Sequence, residues 1–373
     1  MTSTLPFARP YASSRSTARQ TPAWFGFASR SDSLAPPAAG HPARSSCTDA
    51  AQRGLSPRLR ITLFSLLSFI FSLTETGCSQ RPYHKESRMM MGTIVEITCQ
   101  DKSAISSGFE EIKKIEKIAD NFDPASEISR LNRDGHIKAG SELMGMVRES
   151  LKYNFLSAGA FDITINPVVA LWKERIKKSQ DEGAEVSLPS QEEIKDRLRL
   201  TGSNKISINE NESSIVFNQP EMSIDLGAIA KGYAVDKAIA RLKERGINSA
   251  MVNAGGNIYC LGKKGKRKWR VGIQHPRKPQ NLLFTLELEN QAVATSGDYQ
   301  QYFIAGGRRY SHIIDPKTGY PVDNKVISVT ITAPTAAQAD GLSTAVFVLG
   351  KIKGLELVKK IGNVEAKITE EGN

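Results

Sequence analysis

The sequence predicts an α+β domain, and three observations predict it. Period-two alternation at 93–99 stands directly beside helical apolar spacing at 105–118. Strand-like and helix-like stretches then mix with no strict β-α-β period. No internal repeat and no clean linker interrupts residues 87–373, so one domain, with or without two sublobes, accommodates them. With 373 residues the chain can bury a sizeable core.

The elements follow in chain order. Residues 1–57 are rich in Ser, Ala, Pro and Arg and lack hydrophobic periodicity, so they are expected to be a disordered or misassigned extension. At 58–78, Arg58 and Arg60 precede an apolar run from Ile61 to Leu73. That run is too short for an ordinary membrane span and suits a signal core. Gly77-Cys78 follows, which suggests an exported lipoprotein anchored through Cys78. Glu75 stands where a bulky aliphatic residue is usual, so cleavage without lipidation or a retained anchor stays open. A signal so far from residue 1 fits a true extension or initiation near residue 55, although no Met lies between Met1 and Met89. Residues 79–87 read as a linker and 88–373 as the folded domain.

Within the domain, "RMMMGTIVEITC" reads as one half-buried strand, and 103–119 as an amphipathic helix. Ser126 caps a short helix and 142–156 forms another. "AGAFDITINPVVALW" reads as a loop, a short strand and a helix after Pro167. Residues 173–200 are charged and helical around a loop, and "KISINENESSIVFNQPEMSIDLG" gives a hairpin and a further strand. That strand feeds a helix with a buried stripe of Ala228, Val235, Ile239 and Leu242, stopped by Gly246. Strands follow in "INSAMVNAGGNIYCLGKK", "KWRVGIQHP", "LFTLELENQAVATSG", "QYFIAGGRRYSHIIDP" and "KVISVTITA". A last helical pair closes the chain, "TAAQADGLSTAVFVLG" and "GLELVKKIG".

Charge and cysteines exclude some functions. The net charge is +11, of which residues 1–78 contribute +5 through eight Arg, no Lys and three acids. The remaining +6 is mild, and without a dense Lys/Arg stripe interleaved with aromatics no nucleic-acid partner is expected. Cys47, Cys78, Cys99 and Cys260 form no C-x-x-C pair, and Cys99 and Cys260 read as buried small hydrophobes.

Three constellations can carry chemistry. "SIDLGAIAKGYAVD" sets Asp225, Gly227, Ala228, Lys231 and Gly232 at a helix entrance, where backbone N–H groups and the dipole favour an anion. It is not a P-loop, and by itself it reads more readily as a capped, packed helix start. Asp340 and Thr344, four apart on one helix, offer hard oxygen ligands to a cation such as Mg²⁺, or simply a polar face. His312 precedes tight turns at Asp315-Pro316 and Thr318-Gly319, as a general base or as a satisfied structural residue. "GAFDIT", "VNAGGN" and "ATSGDY" are loops in which small residues permit close approach to a ligand.

Taken together, "MMGT", "DPASEISRLN", "GAFDIT", "DLGAIAKGYAVD", "VNAGGN", "ATSGDY", "SHIIDPKTGYPV" and "ADGLSTAVFVLG" resemble, in order, the ApbE family of FAD:protein FMN transferases. The resemblance spans about 88–360. It implies an enzyme that moves FMN from FAD to a threonine of a partner protein through a phosphoester and releases AMP. Subunits of NADH:quinone reductase or Rnf-type complexes would be the acceptors. It implies FAD contacts at Met91, Phe122, Ala160, Phe161, Asp162, Asp225, Lys231, Ser296 and Ile313. It places Mg²⁺, or another divalent ion, on Asp340, Thr344 and the Ala228 carbonyl, and it links His312 and Asp225 to catalysis. Phe122 stands where relatives often carry Tyr. It also implies an exported, membrane-anchored lipoprotein facing the periplasm or the cell exterior. Two rival readings remain: a metal-dependent FAD pyrophosphatase yielding FMN and AMP, and a non-enzymatic FAD-binding lipoprotein.

Overall fold

The computed structural model describes residues 82–182, 186–299 and 301–372. The extension at 1–57 and the signal segment at 58–78 with Cys78 lie outside the described residues. A seven-stranded sheet, antiparallel throughout, organises the rest. In spatial order it contains β1 (His84–Met90), β2 (Thr93–Cys99), β6 (Ala250–Ala254), β7 (Asn257–Leu261), β10 (Gln291–Gly297), β13 (Val326–Ala333) and β14 (Glu365–Glu370).

Strand alternation sends side chains to two faces, and each face has its own cover. Val252, Ala254, Ala292 and Ala294 pack under α1 (Lys102–Ala119), α6 (Ala230–Glu244) and α7 (Ala336–Ile361). Met251, Ile258, Cys260 and Val293 point the other way, under a hairpin of β8 (Trp269–His275) and β9 (Lys278–Leu288). Cys99 and Cys260 are free thiols in these two cores, as their apolar settings predict.

A smaller lobe has a separate core around Trp172. It comprises α4 (Asn166–Glu182), α5 (Gln191–Leu198) and a hairpin of β11 (Tyr302–Ala305) and β12 (Arg308–Ser311). The Trp172 Nε1–H donates to the Gly319 carbonyl at 2.9 Å, tying this lobe to the turn that follows His312. Helices α2 (Glu127–Asp134) and α3 (Ser141–Leu156) complete the domain with a three-stranded sheet of β3 (His136–Lys138), β5 (Ser214–Phe217) and β4 (Ile206–Asn209).

Several expectations change in physical detail. The single strand expected at 88–99 is a hairpin. Met91 and Gly92, both at positive φ (52° and 69°), make its two-residue turn. Strand β1 takes in residues 84–87 of the expected linker; it is an edge strand with a mostly exposed polar sequence, so no burial pattern marks it. The strand expected in "GAFDIT" is a 3₁₀ turn, Ile163–Ile165, because the Asp162 carboxylate captures the Thr164 N–H. Residues 223–226 form no ladder. The Asn132 side-chain amide imitates a neighbouring strand instead, accepting from Ile224 N at 2.8 Å and donating to Ile224 O at 2.9 Å. Ala228 lies before the first turn of α6, so the buried stripe begins at Ala230. The expected helical pair is α7, two halves meeting at Gly350 (φ 76°), where Asn324 donates to the carbonyls of Phe347 and Val348. Strand β14 was not expected from the sequence.

Candidate active site

The site forms where the entrance of α6 meets the first turns of α7. Gly232 makes the approach close: a Cβ there would stand 2.3 Å from the Ala336 carbonyl oxygen. Two contacts lock the helices one turn apart. Asp236 accepts from the N–H groups of Ala336 and Ala337, both at 2.8 Å, and the Gly232 N–H donates to Asp340 Oδ2 at 3.0 Å.

The second contact has a chemical consequence. In a continuous helix the Gly232 N–H would serve the carbonyl four residues back, that of Ala228. Because it serves Asp340, the Ala228 carbonyl lies outside the ladder. The Gly227 carbonyl is likewise diverted, accepting from the Lys231 ammonium at 2.8 Å. An opened backbone turn, a carboxylate and a cation therefore occupy one place.

Asp340 is 6% exposed. Burial pushes its carboxyl above the usual carboxylate range, against the pull of Lys231, the Gly232 N–H and the Asn257 side chain. Lys231 sits 4.0 Å away, at the outer edge of ion pairing. Beyond Asp340 the hydroxyls form a directed chain. Ser343 donates to the Asp340 carbonyl, Ser296 lies 2.7 Å from Ser343, and Thr344 lies 3.4 Å from Ser296. Among the described residues, no cluster of three His, Cys, Asp or Glu could hold a metal. The mixed set of the Asp340 carboxylate, the Thr344 hydroxyl and the Ala228 carbonyl fits a hard cation, which prefers oxygen donors. The cost of burying Asp340 is what a neighbouring cation would relieve.

On the other side, the Asp225 carboxylate accepts from the Gly227 N–H at 2.7 Å, and its own N–H donates to the Ile163 carbonyl. The Lys173 ammonium lies 3.9 Å from Asp225 Oδ2. His312 Nδ1 is 2.9 Å from the Gln301 carbonyl, which can only accept, so Nδ1 carries the proton and Nε2 the lone pair. The protein mass around the half-buried His312, with Lys231 and Lys173 facing it, lowers its pKa to about 4. The ring is therefore neutral at pH 7.

Asp225, Ala228, Lys231, Ser296, His312, Asp340 and Thr344 thus come together. The other candidates occupy varied settings. Phe122 is 81% exposed at the rim of a cavity of about 420 Å³, lined also by Asn121, Ser129, Asn132, Asn166 and Ser223. Ala160 and Phe161 are buried, the Phe161 ring edge-on to Tyr153. The Asp162 carboxylate is occupied by Thr164 and Ser203. Ile313 is buried beside His312, its carbonyl accepting from Val322. The Met91 N–H is held by Glu116 of α1, and among the described residues no hydrogen bond ties Met91 to Asp225, Lys231 or Asp340. Sequence reasoning missed Lys173, Asn257 and Asp236. Asn257 stood within the quoted "VNAGGN", and Asp236 ends the quoted helix entrance; Lys173 had no motif around it.

Comparison with known proteins agrees with this architecture. A profile of the ApbE family matches residues 91–368. The chain is 32% identical over 287 residues to the FAD:protein FMN transferase of Haemophilus influenzae, covering 72% of this chain and 82% of that one. It is 36% identical over 239 residues to the FAD:protein FMN transferase of Vibrio cholerae, covering 63% and 70%. The crystal structure of the ApbE protein from Thermotoga maritima superposes with a TM-score of 0.70 at 31% identity, over 78% of this chain and 96% of that one. The flavin transferase ApbE from Vibrio cholerae gives 0.66 at 29% identity, over 78% and 94%. With the profile spanning most of the folded region and these structures matched nearly end to end, the chain belongs to the ApbE family.

Proposed function

We propose that the chain is a divalent-metal-dependent FAD:protein FMN transferase, moving FMN from FAD to a threonine hydroxyl of an acceptor protein and releasing AMP. The diverted backbone at the α6 entrance carries this reading. It gathers an unladdered carbonyl, a buried carboxylate, a hydroxyl and two loosely paired ammonium groups, the requirements of pyrophosphate chemistry. In the reaction, the acceptor oxygen bonds to the phosphorus of the FMN half. The bond to the bridging pyrophosphate oxygen breaks, and its electron pair departs on AMP.

Asp340, Thr344 and the Ala228 carbonyl would hold the cation. Bound there, Mg²⁺ supplies charge neutralisation to the departing phosphate. Lys231 and Lys173 draw the phosphates in, since each holds its carboxylate only at the limit of ion pairing. Asp225 keeps the Gly227 turn open. His312 Nε2 accepts the hydroxyl proton. A phosphate between the two lysines raises the basicity of His312 by offsetting the cations that depress it.

Subunits of NADH:quinone reductase or Rnf-type complexes are proposed acceptors. The signal core before Cys78 supports export and lipid anchoring, with the domain facing the periplasm or the cell exterior. FAD hydrolysis to FMN and AMP is the second reading, since the same cation site and lysines would serve water as the acceptor. Incubation with FAD, Mg²⁺ and a threonine-bearing acceptor separates the readings. Covalent in-gel flavin fluorescence means transfer, free FMN alone means hydrolysis, and intact FAD means a binding protein.

A further inference from the structure

The charge tally of the folded body hides one local concentration. The turn from β7 to β8 reads "GKKGKRKWR", with Lys263, Lys264, Lys266, Arg267 and Lys268 all exposed. Among the described residues, Lys263 alone of these five pairs with a carboxylate, Glu289 at 3.7 Å. The turn is built rather than loose. Lys264 and Arg267 bridge each other's backbone across Gly265, at φ 65°. The Lys264 ammonium lies 5.6 Å from the Tyr83 ring and 5.5 Å from the Trp269 ring, and the two rings meet edge to face. The Tyr83 hydroxyl reaches Ser249 at 2.7 Å and accepts from the Gly265 N–H at 3.2 Å.

Tyr83 also marks where the chain arrives. Cys78 precedes it by five residues, a reach of at most about 18 Å fully extended. The strand register places this arrival at one pole of the domain. His84 pairs with Cys99, Cys99 with Ala250 and Ala250 with Leu261, the last residue before the basic turn. The candidate active site belongs to the other end of the same strands. Asn257, which bonds Asp340, opens β7, and Met90 closes β1. Seven residues of β1 separate the poles by about 20 Å.

We propose that the turn Lys263–Lys268 is a docking surface for anionic lipid headgroups, seating the domain on a membrane by the pole opposite its active site. The occupant follows from charge complementarity and from the arrival of the chain at this pole; the buried Trp269 ring, with Tyr83, serves to hold Lys264 in place. Clustered Lys and Arg beside a membrane-directed segment bind anionic headgroups within about a Debye length. Orientation is the functional result: the active site faces away from the bilayer, and an acceptor must present its threonine at that height. This orientation rests on the proposed Cys78 anchor; the lipid contact itself does not.

The test is co-sedimentation of the full chain with phosphatidylcholine vesicles, with and without phosphatidylglycerol, at low and high salt. Wild type is expected to favour the phosphatidylglycerol vesicles and to lose that advantage at high salt. Lys266→Gln/Arg267→Gln/Lys268→Gln should reduce the advantage on the order of a hundredfold while leaving FMN transfer in solution intact. Lys195→Gln/Arg197→Gln/Arg199→Gln, an equal charge change on exposed positions of α5 and its C-cap, should preserve the advantage. Cys78→Ser should weaken binding to both vesicle types alike; if it changes neither, the anchor fails while the lipid contact stands. The proposal is overturned if the turn variant keeps its advantage, if the α5 variant loses as much, or if duplex DNA displaces the vesicles from the turn.

Discussion

The two helix entrances that meet at the active site are built in opposite ways. The start of α7 is closed. Thr335 accepts from the Gln338 N–H, and Asp236 takes those of Ala336 and Ala337, so the early donors have protein partners. The start of α6 is open. Its N-cap residue, Ile229, has no side-chain bond, the Gly232 N–H goes to another helix, and the Gly227 carbonyl is served by a lysine side chain. One entrance satisfies itself and stabilises the fold; the other, although the Ala230 N–H is served by the Leu226 carbonyl, leaves the Ala228 carbonyl for a ligand. Stability and chemistry are divided between neighbouring turns only four residues apart on each helix.

That division can be broken experimentally. The largest effect is expected from Asp340→Asn. Transfer should fall on the order of a thousandfold in a fluorescence assay, because the charge that would hold the cation is gone. Its melting temperature should hold or rise, since a buried charge is removed; a large fall in melting temperature with activity retained would reverse the roles of the two entrances. Next comes His312→Ala, expected to lower kcat by about 10²–10⁴ with little change in FAD binding by calorimetry. Wild-type turnover with excess Mg²⁺ would remove His312 from the mechanism.

Gly232→Ala tests the close approach itself. Its Cβ meets backbone atoms of Ala336 and Ala337, which cannot step aside, so the helices must separate at a cost of about 1–3 kcal/mol. Denaturant unfolding measures the cost, and the Mg²⁺ concentration required for half-maximal transfer should rise with it. The smallest effect belongs to the closed entrance. Asp236→Asn loses part of a cap, about 1 kcal/mol, with transfer nearly kept. Its pH dependence has a definite sign. Burial, with Glu149 adding to it, raises the Asp236 pKa to about 6 against two backbone N–H bonds and Lys243. The folded protein therefore holds that proton more tightly than the unfolded chain. Its stabilising contribution is full below pH ~4 and lost as pH rises through about 6. The melting-temperature gap between wild type and Asp236→Asn should widen, in favour of wild type, as pH falls from 7 to 4.

The sequence made one side of this comparison easier to read than the other. Asp340 and Thr344 share a helix face because i and i+4 always do, and Ser126 announces α2 by cap chemistry alone. The diverted Gly232 N–H could not be read, since it depends on a carboxylate 108 residues away arriving within hydrogen-bond reach. Lys173 was illegible for the same reason: an ordinary lysine on a charged helix becomes a site residue only when α4 packs beside Asp225. The 3₁₀ turn at Ile163 was misread as a strand because its β-branched residues answer to the Asp162 side chain rather than to a ladder. Strands β1 and β14 share another cause. Both lie at sheet edges, where exposed positions blur the alternation that marks interior strands.

Strand β1 has a further consequence. An open sheet edge is a template on which another chain can grow, and a protein that handles segments of other proteins is exposed to that hazard. Here the edge carries Lys85, Glu86 and Arg88, with Lys85 paired to Glu96 and Arg88 near Glu86. A second strand laid along it would strip water from these charges. The edge is thereby protected against self-templated aggregation.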